Sequence, residues 1–383
     1  MNQLPERPDR HYLTRDRSYR ARKAVLAMPC LREEADAWLQ WNREVSRRWR
    51  PAPGVRVPVT TGGLVISLDL ELAWGVHDTL DVRGPYHANI IGAREVVPQL
   101  LALFEEYGIR ATWATVGLLF ARTREEAIAY APSIRPAYAN SRLDTYRVVV
   151  GRDERSDPLH YGRSLIESIA SCPGQEIASH TFSHYYCLEP GQTRETFAAD
   201  VASAVAIAKA SGITLRSFVF PRNQSRDYYL DVLVDHGFTS YRGPEPNGLH
   251  TPRPGRSGNL LVRGGRLLDT YFPLTGSNVL AWPSTNVQRR LVNVPASRFL
   301  RPVSQRAAWL GRRQRQRLRS GMRRAAESVG LYHIWWHPHN FGAAKTTNIA
   351  HLRRILDEFV VLRDEFGMRS YSMGDVAHTV LNS

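Results

Sequence analysis

From residue 61 to the end of the chain, short apolar runs alternate with amphipathic stretches. GLVISLDLEL (63–72) is bounded by glycine and ends in acids, which reads as a buried strand. Ala93 to Tyr107 has helical apolar spacing, with Gly108 placed to end the helix. ATWATVGLLF (111–120) reads as the next strand, and residues 121–165, rich in Pro, Arg and Tyr, as an irregular excursion over the active face. Then come a short helix from Ser164 to Ser171, a strand GQEIASH (174–180), a helix from Thr193 to Ala210 followed by Gly212, and a strand LRSFVFP (215–221). A helix from Asp227 to His236, a strand FTSYRG (238–243) and a second irregular stretch (242–300) precede a basic helix. The pattern closes with LYHIWWHPH (331–339) as a strand, Ile349 to Phe366 as a helix and MRSYSMGDV (368–376) as a last strand. Sustained strand–helix alternation implies an α/β fold with a mostly parallel sheet or barrel, whose chemistry gathers at the carboxyl ends of the strands. Residues 1–60 are weakly periodic and read as a basic N-terminal extension ending in PAPGVRVPVTTGG (51–63).

Composition changes this picture in three ways. The 383 residues are 43% hydrophobic, enough for one large core, and no apolar run approaches the length of a spanning helix. The N-terminus is charged throughout and lacks the apolar centre of a secretory signal, so a cytoplasmic setting is expected. Cys30, Cys172 and Cys187 are odd in number and show no CxxC spacing, which argues against a disulfide framework or zinc ribbon. The formal net charge is +15, and only Lys23, Lys209 and Lys345 are lysines, so nearly all the basic residues are arginine. Residues 298–324 hold ten arginines and no acid, while Leu318, Met322, Ala325 and Val329 repeat at helical spacing. This segment reads as a basic amphipathic helix, either packed on the core with a solvated outer face or facing an anionic membrane surface or a lipid-phosphate-linked glycan. No zinc finger, helix-turn-helix or aromatic RNA-binding signature supports a nucleic-acid partner.

Three polar sets fall at predicted strand ends. Asp69 and Glu71 interrupt an apolar run, and their i, i+2 spacing puts both on one face of a strand. Two acids there are costly to bury without a cation or an arginine partner. EIASHTFSH (176–184) supplies His180 and His184, a spacing that brings two imidazoles to one cation on a helix or tight loop. Two histidines and one carboxylate form a frequent catalytic set for zinc. LYHIWWHPHNFG (331–342) supplies His333, His337 and His339, with Trp335 and Trp336 between them. One of these histidines can serve as a general acid, and an aromatic beside it suits a sugar ring. In FVFPRNQ (218–224), Arg222 and Asn223 follow a fourth strand, where an arginine can orient a carboxylate or bind substrate.

The order of these motifs resembles the polysaccharide deacetylases, the family of the nodulation chitooligosaccharide deacetylase and the peptidoglycan deacetylases. EIASHTFSH is the most specific piece, WWHPHNFG the next, and GIRATWATVG (108–117) is similar to the family's second strand. The resemblance spans roughly residues 61–380 and implies a distorted (β/α)7-type barrel with an N-terminal extension, divided as 1–60 and a catalytic domain at 61–383. It implies a carbohydrate esterase that removes an acetyl group from an N-acetylated sugar, here a lipid- or nucleotide-linked precursor in glycan biosynthesis. It further implies a divalent metal, zinc ahead of cobalt or manganese, on Glu71, His180 and His184. By the same resemblance Asp69 is the base, Arg222 braces it, and His337 is the acid, with His339 as runner-up. Trp74, Asn223, Trp336 and His339 are the expected substrate contacts, and Asp269 the group tuning the late histidine. The family's first motif has adjacent aspartates, whereas Leu70 separates the acids here, so base and ligand roles of Asp69 and Glu71 can exchange. Two other classes fit the residues: a hydrolase cleaving a glycosidic bond through the Asp69–Glu71 pair without metal, and a non-catalytic glycan-binding relative.

Overall fold

The computed structural model describes residues 61–252, 260–282, 290–303 and 307–382; the expected extension at 1–60 and Cys30 lie outside them. β1 (Gly63–Leu70) is buried along its whole length. A 3₁₀ turn (Leu72–Gly75) and α1 (His87–Tyr107) follow, α1 ending where Gly108 takes a left-handed conformation at φ 66°. β2 (Ala111–Thr115), α2 (Arg124–Tyr130), α3 (Arg163–Ser171), β3 (Gln175–Ser179) and α4 (Arg194–Ala210) come next. β4 (Ser217–Val219), α5 (Asp227–Asp235), β5 (Ser240–Arg242), α6 (Leu260–Tyr271), β6 (Val292–Asn293) and β7 (Arg298–Phe299) continue the alternation. α7 (Ala308–Glu327), β8 (Leu331–Trp336), α8 (Pro338–Gly342), α9 (Lys345–Phe366), β9 (Arg369–Tyr371) and α10 (Met373–Leu381) complete it.

All pairings between these strands are parallel, in the order β6-β5-β4-β3-β2-β1-β8-β7. β9 pairs with Gly63–Val65 of β1, just before the stretch that β2 takes up. Residues 292–300 close the curl. Val294 and Ala296 donate to the carbonyls of Tyr241 and Gly243 beside β5, and Ser297 and Leu300 donate to those of His333 and Trp335 on β8. One continuous stretch thus bridges the two ends of the sheet, giving the expected (β/α)7-type barrel.

Alternation along β1 sorts the interior. Leu64, Ile66, Leu68 and Leu70 belong to the main core with residues from α1, α4, α7 and α9. Val65 belongs to a separate cluster with Ala114, Val219, Val292 and Leu331, packed on Met373, Val376, Ala377 and Val380 of α10. Ser372 caps α10 through a reciprocal pair of hydrogen bonds with Asp375. One mouth of the barrel is therefore plugged with apolar side chains, and the polar inward positions Ser67 and Asp69 climb toward the other.

The run ATWATVGLLF does not stay extended: the strand stops at Thr115, and Gly117–Phe120 turn so that Gly117 and Leu118 donate to the carbonyls of Thr181 and Phe182. α1 begins at His87, ahead of Ala93. α2 lies in the first excursion, and α6, β6 and β7 in the second. Pro338 ends the LYHIWWHPH ladder and opens α8, while Ser372 turns MRSYSMGDV into α10 after three strand residues. In the arginine-rich segment Arg298 belongs to β7 and Arg306 lies outside the described residues. α7 buries Leu318, Met322 and Ala325 as expected, but Val329 falls beyond its end and is exposed. No described helix is long and apolar enough to cross a membrane. Cys172 and Cys187 are free thiols.

Candidate active site

Asp69 and Glu71 do face the same side, at the open mouth of the barrel, and both are buried. Glu71 lies at the start of the Leu72–Gly75 turn, and Gly75 makes room for it: a Cβ there would fall 1.9 Å from the Glu71 carboxyl carbon. The two histidines of HxxxH sit on a tight loop after β3, not on a helix. Thr181 and His184 adopt positive φ of 65° and 57°, which reverses the chain and brings the two imidazoles to a centroid separation of 5.2 Å. Asp200 of α4 holds this loop, accepting from the backbone of Phe182 at 2.6 Å and of Ser183 at 3.2 Å, and from the Ser183 hydroxyl. Burial pushes the Asp200 carboxyl up to about 6 against those hydrogen bonds.

His180 Nδ1 lies 2.9 Å from the Val219 carbonyl; donating there, it leaves Nε2 as a lone pair facing Glu71 Oε2 at 3.3 Å. That Nε2 is buried without a hydrogen-bond partner. His184 Nε2 is 3.1 Å from the same oxygen, and burial lowers this histidine to about 4, so it is neutral near pH 7. Burial favours a neutral Glu71, but His337 and the two loop histidines outweigh it, holding the carboxyl well below its usual range. The three ligand atoms lie within 4.8 Å of one another. A buried, orphaned imidazole nitrogen aimed at an ionised carboxylate, with the neutral imidazole of His184 beside it, fits a divalent cation. Glu71 also belongs to a set with His337 and His339, whose Nε2 atoms lie 3.4 and 4.0 Å from Oε1. His337 Nδ1 meets Asn340 Oδ1 at 3.2 Å, and its Nε2 lies 3.7 Å from Asp69 Oδ2. His339 stacks on His337 at 5.0 Å.

The arginine on Asp69 is Arg242, not Arg222. Arg242, buried at the end of β5, grips both carboxylate oxygens at 2.6 and 2.7 Å. Burial would raise Asp69, but this guanidinium, with His180 and His337, holds it below its usual value. Arg222 instead pairs with Asp78 at 2.5 Å and lies over the Tyr186 ring. The reason is local: Arg222 and Asn223 take left-handed φ of 56° and 53° after Pro221, and after this turn the Arg222 side chain meets Asp78 and not Asp69. Asn223 lines the cavity and accepts from Arg242 at 3.1 Å, while Trp335 presents its ring 4.3 Å from the Arg242 guanidinium carbon.

Three further expectations are corrected. Trp74 is buried, its indole nitrogen donating to the His160 carbonyl at 2.8 Å, so it packs in the core and offers no face to substrate. Trp336 is fully buried and stacks on Phe341, because 332, 334 and 336 on β8 point to the helices while 333, 335 and 337 point inward. Trp335 is the tryptophan on the cavity wall. Asp269 does not reach His337: it is taken by Arg298 at 2.6 Å and Arg317 at 2.9 Å, and Asn340 occupies the place expected of it. Arg242, Asp200 and Asn340 escaped the sequence reading. A lone arginine in the short predicted strand FTSYRG was the available signal for the first.

His333 is a buried structural residue, bonded to Ser67 Oγ at 2.8 Å and facing the Val294 and Pro295 carbonyls. Burial depresses it to about 3, so between pH 6.5 and about 3 the unfolded chain binds a proton that the folded one refuses. Its contribution to stability is full above pH 6.5 and is lost as pH falls through that window. Denaturation midpoints measured from pH 7 to pH 4 are expected to decline less steeply in His333→Gln than in the wild type, by about 1 kcal/mol per pH unit. Equal slopes would place the titration elsewhere.

Residues 84–241 match the polysaccharide deacetylase family model. No curated protein matches the chain. Among solved structures, a protein of Mycobacterium smegmatis described as a polysaccharide deacetylase is 15% identical, covers 87% of this chain and 94% of its own, and superposes at a TM-score of 0.56. One of Pseudomonas aeruginosa PAO1, described likewise, is 13% identical over 83% of this chain and 90% of its own, at 0.48. The PuuE allantoinase is 11% identical over 86% and 97%, at 0.49. At these identities the first carries the fold alone, and the others carry no argument. The resemblance to the polysaccharide deacetylases is borne out, and with it the enzyme class: a hydrolase of carbon–nitrogen bonds other than peptide bonds.

Proposed function

We propose that the chain removes the acetyl group from an N-acetylated sugar with a divalent metal, zinc before cobalt or manganese, held by Glu71, His180 and His184. The observation that carries this reading is Glu71, one carboxylate shared between two buried loop imidazoles on one side and His337 on the other. A bound cation supplies Lewis acidity, polarising the acyl oxygen and making water acidic enough to deprotonate near neutral pH. Arg242 keeps Asp69 ionised at neutral pH, ready to accept a proton from the attacking water, and Asn223 holds that arginine in place. His337, steered by Asn340, would donate a proton to the leaving amine. Asp69 is gripped by Arg242 while Glu71 faces the two loop histidines, which favours the first as base and the second as ligand. The cleavage of a glycosidic bond by the acid pair is disfavoured on the same ground, since such a pair needs one carboxyl kept protonated and both of these are held ionised. Acetate release from N-acetylated sugars tests the reading. His337→Ala is expected to keep its metal and lose roughly a hundred- to ten-thousand-fold in turnover; near-wild-type turnover removes His337 as the acid.

Within this reading the substrate is a lipid- or nucleotide-linked glycan precursor, met at the inner membrane face of the cytoplasm. Support comes from α7 and its neighbour α6. Arg312, Arg313, Arg315 and Arg324 of α7 have no carboxylate partner among the described residues, and Leu261, Leu267 and Leu268 of α6 are exposed. Cations beside exposed apolar side chains suit an anionic bilayer surface. Sedimentation with anionic vesicles at low salt, and not with neutral ones, is expected; equal binding to both would overturn it.

A further inference from the structure

The reaction centre opens into a cavity of about 310 Å³. Asp69, Glu71, His184 and His337 line it, together with His250, Thr270, Arg298 and Arg301. Among the described residues four arginines line it, and three are committed. Arg222 pairs with Asp78. Arg298 pairs with Asp269 and Glu245. Arg266 donates to the Leu249 and Thr251 carbonyls. Arg301 alone of the four has neither a carboxylate nor a backbone carbonyl on its side chain among the described residues. Its Nε donates to Thr270 Oγ1 at 3.0 Å, and its guanidinium carbon lies 5.7 Å from the Phe299 ring centre. The acids that could neutralise it, Glu245 and Asp269, are already taken by Arg298 and Arg317.

Position matters as much as charge. Phe299 of β7 pairs in parallel with Trp335 of β8. Two residues further on, the chains reach Arg301 and His337, so the free guanidinium stands at the strand end next to the proposed proton donor. Thr270 fixes the inner nitrogen, and the two terminal nitrogens remain as a fork of the kind that binds carboxylate or phosphate. A partly desolvated cation without a counterion is unfavourable unless an anion completes it. Burial already presses this guanidinium below its usual pKa.

We propose that Arg301 is a specificity-determining residue, binding an anionic group, phosphate or carboxylate, carried by the sugar whose acyl group lies at Glu71 and His337. This rests on the deacetylase reading for the identity of the sugar end, and it narrows the substrate class to acidic N-acylated sugars.

Calorimetric titration with glucose, glucose 1-phosphate and glucuronate tests it, because none of the three carries an acyl group and binding is read apart from turnover. Wild type is expected to bind at least one of the charged sugars about tenfold or more tighter than glucose. Preference for glucose 1-phosphate identifies a phosphate, and preference for glucuronate a carboxylate. Arg301→Met is expected to bind all three alike with glucose affinity unchanged, and Arg301→Lys to keep part of the preference. A wild type that binds charged and neutral sugars equally, or a preference that survives in Arg301→Met, overturns the proposal. Absence of acetate release from every N-acetylated sugar would instead overturn the deacetylase reading and leave the binding result standing.

Discussion

The double variant His180→Ala/His184→Ala is expected to carry no divalent metal where the wild type carries about one per chain. Both imidazoles face a single Glu71 oxygen, at 3.3 and 3.1 Å, so removing them leaves that carboxylate without either of its two proposed co-ligands. The effect reaches beyond occupancy. Glu71 stays ionised because His337 and the loop histidines outweigh its burial; with the loop rings gone, burial gains on the remaining histidine and the carboxyl moves toward its neutral form. Added zinc is expected to raise the melting temperature of the wild type by mass action and to leave the variant unmoved. Elemental analysis checks the first point and a melting series with and without zinc the second. Circular dichroism shows whether the variant is folded, which Asp200 favours because it grips the loop through Phe182 and Ser183 and not through the histidines. Stoichiometric metal retained in a folded variant would move the site to the other cluster around Glu71, that of His337 and His339, and would remove His337 as a proton donor.

What the chain discloses without its structure follows the range of the interaction. β1, the HxxxH loop and the helices with glycine or Ser/Thr ends are specified within a few neighbouring residues, by apolar period and capping chemistry, and they are found where those signals lie. The partner of Asp69 is specified by nothing local. Arg242 is 173 residues away, in a strand of three residues too short to show a period, and it meets Asp69 only because β5 and β1 face each other across the barrel. Arg222 carried the better sequence motif and the wrong backbone: two consecutive left-handed residues redirect it. The exchange of Trp336 for Trp335 is a matter of strand parity: 335 shares the inward face of His333 and His337, and 336 turns to the helices. The 292–300 stretch that closes the barrel consists of two short pieces, each paired to a different strand, and neither is long enough to read as a strand by itself.

The exchange of arginines yields the second large effect. Arg242→Leu is expected to cost roughly 3–5 kcal/mol of stability, because it leaves Asp69 as a buried carboxylate without its counter-charge. Asp69 would answer by rising in pKa, since burial is the largest influence on it and Arg242 the largest opposing one. A base that is protonated at neutral pH accepts nothing, so turnover should fall steeply and recover in part at higher pH. Arg222→Leu is expected to do much less: its side chain is 22% exposed and its partner Asp78 is not a member of the reaction centre. Asp69→Asn/Arg242→Leu separates stability from chemistry. With both charges gone it should regain much of the lost stability while remaining inactive, and a double-mutant cycle on urea midpoints would return the coupling. The outcome that sinks the assignment is specific: Arg222→Leu losing more turnover than Arg242→Leu, with its pH profile shifted upward, would mean that Asp69 answers to Arg222 during the reaction, and the bidentate grip of Arg242 would then be a structural tie between β5 and β1.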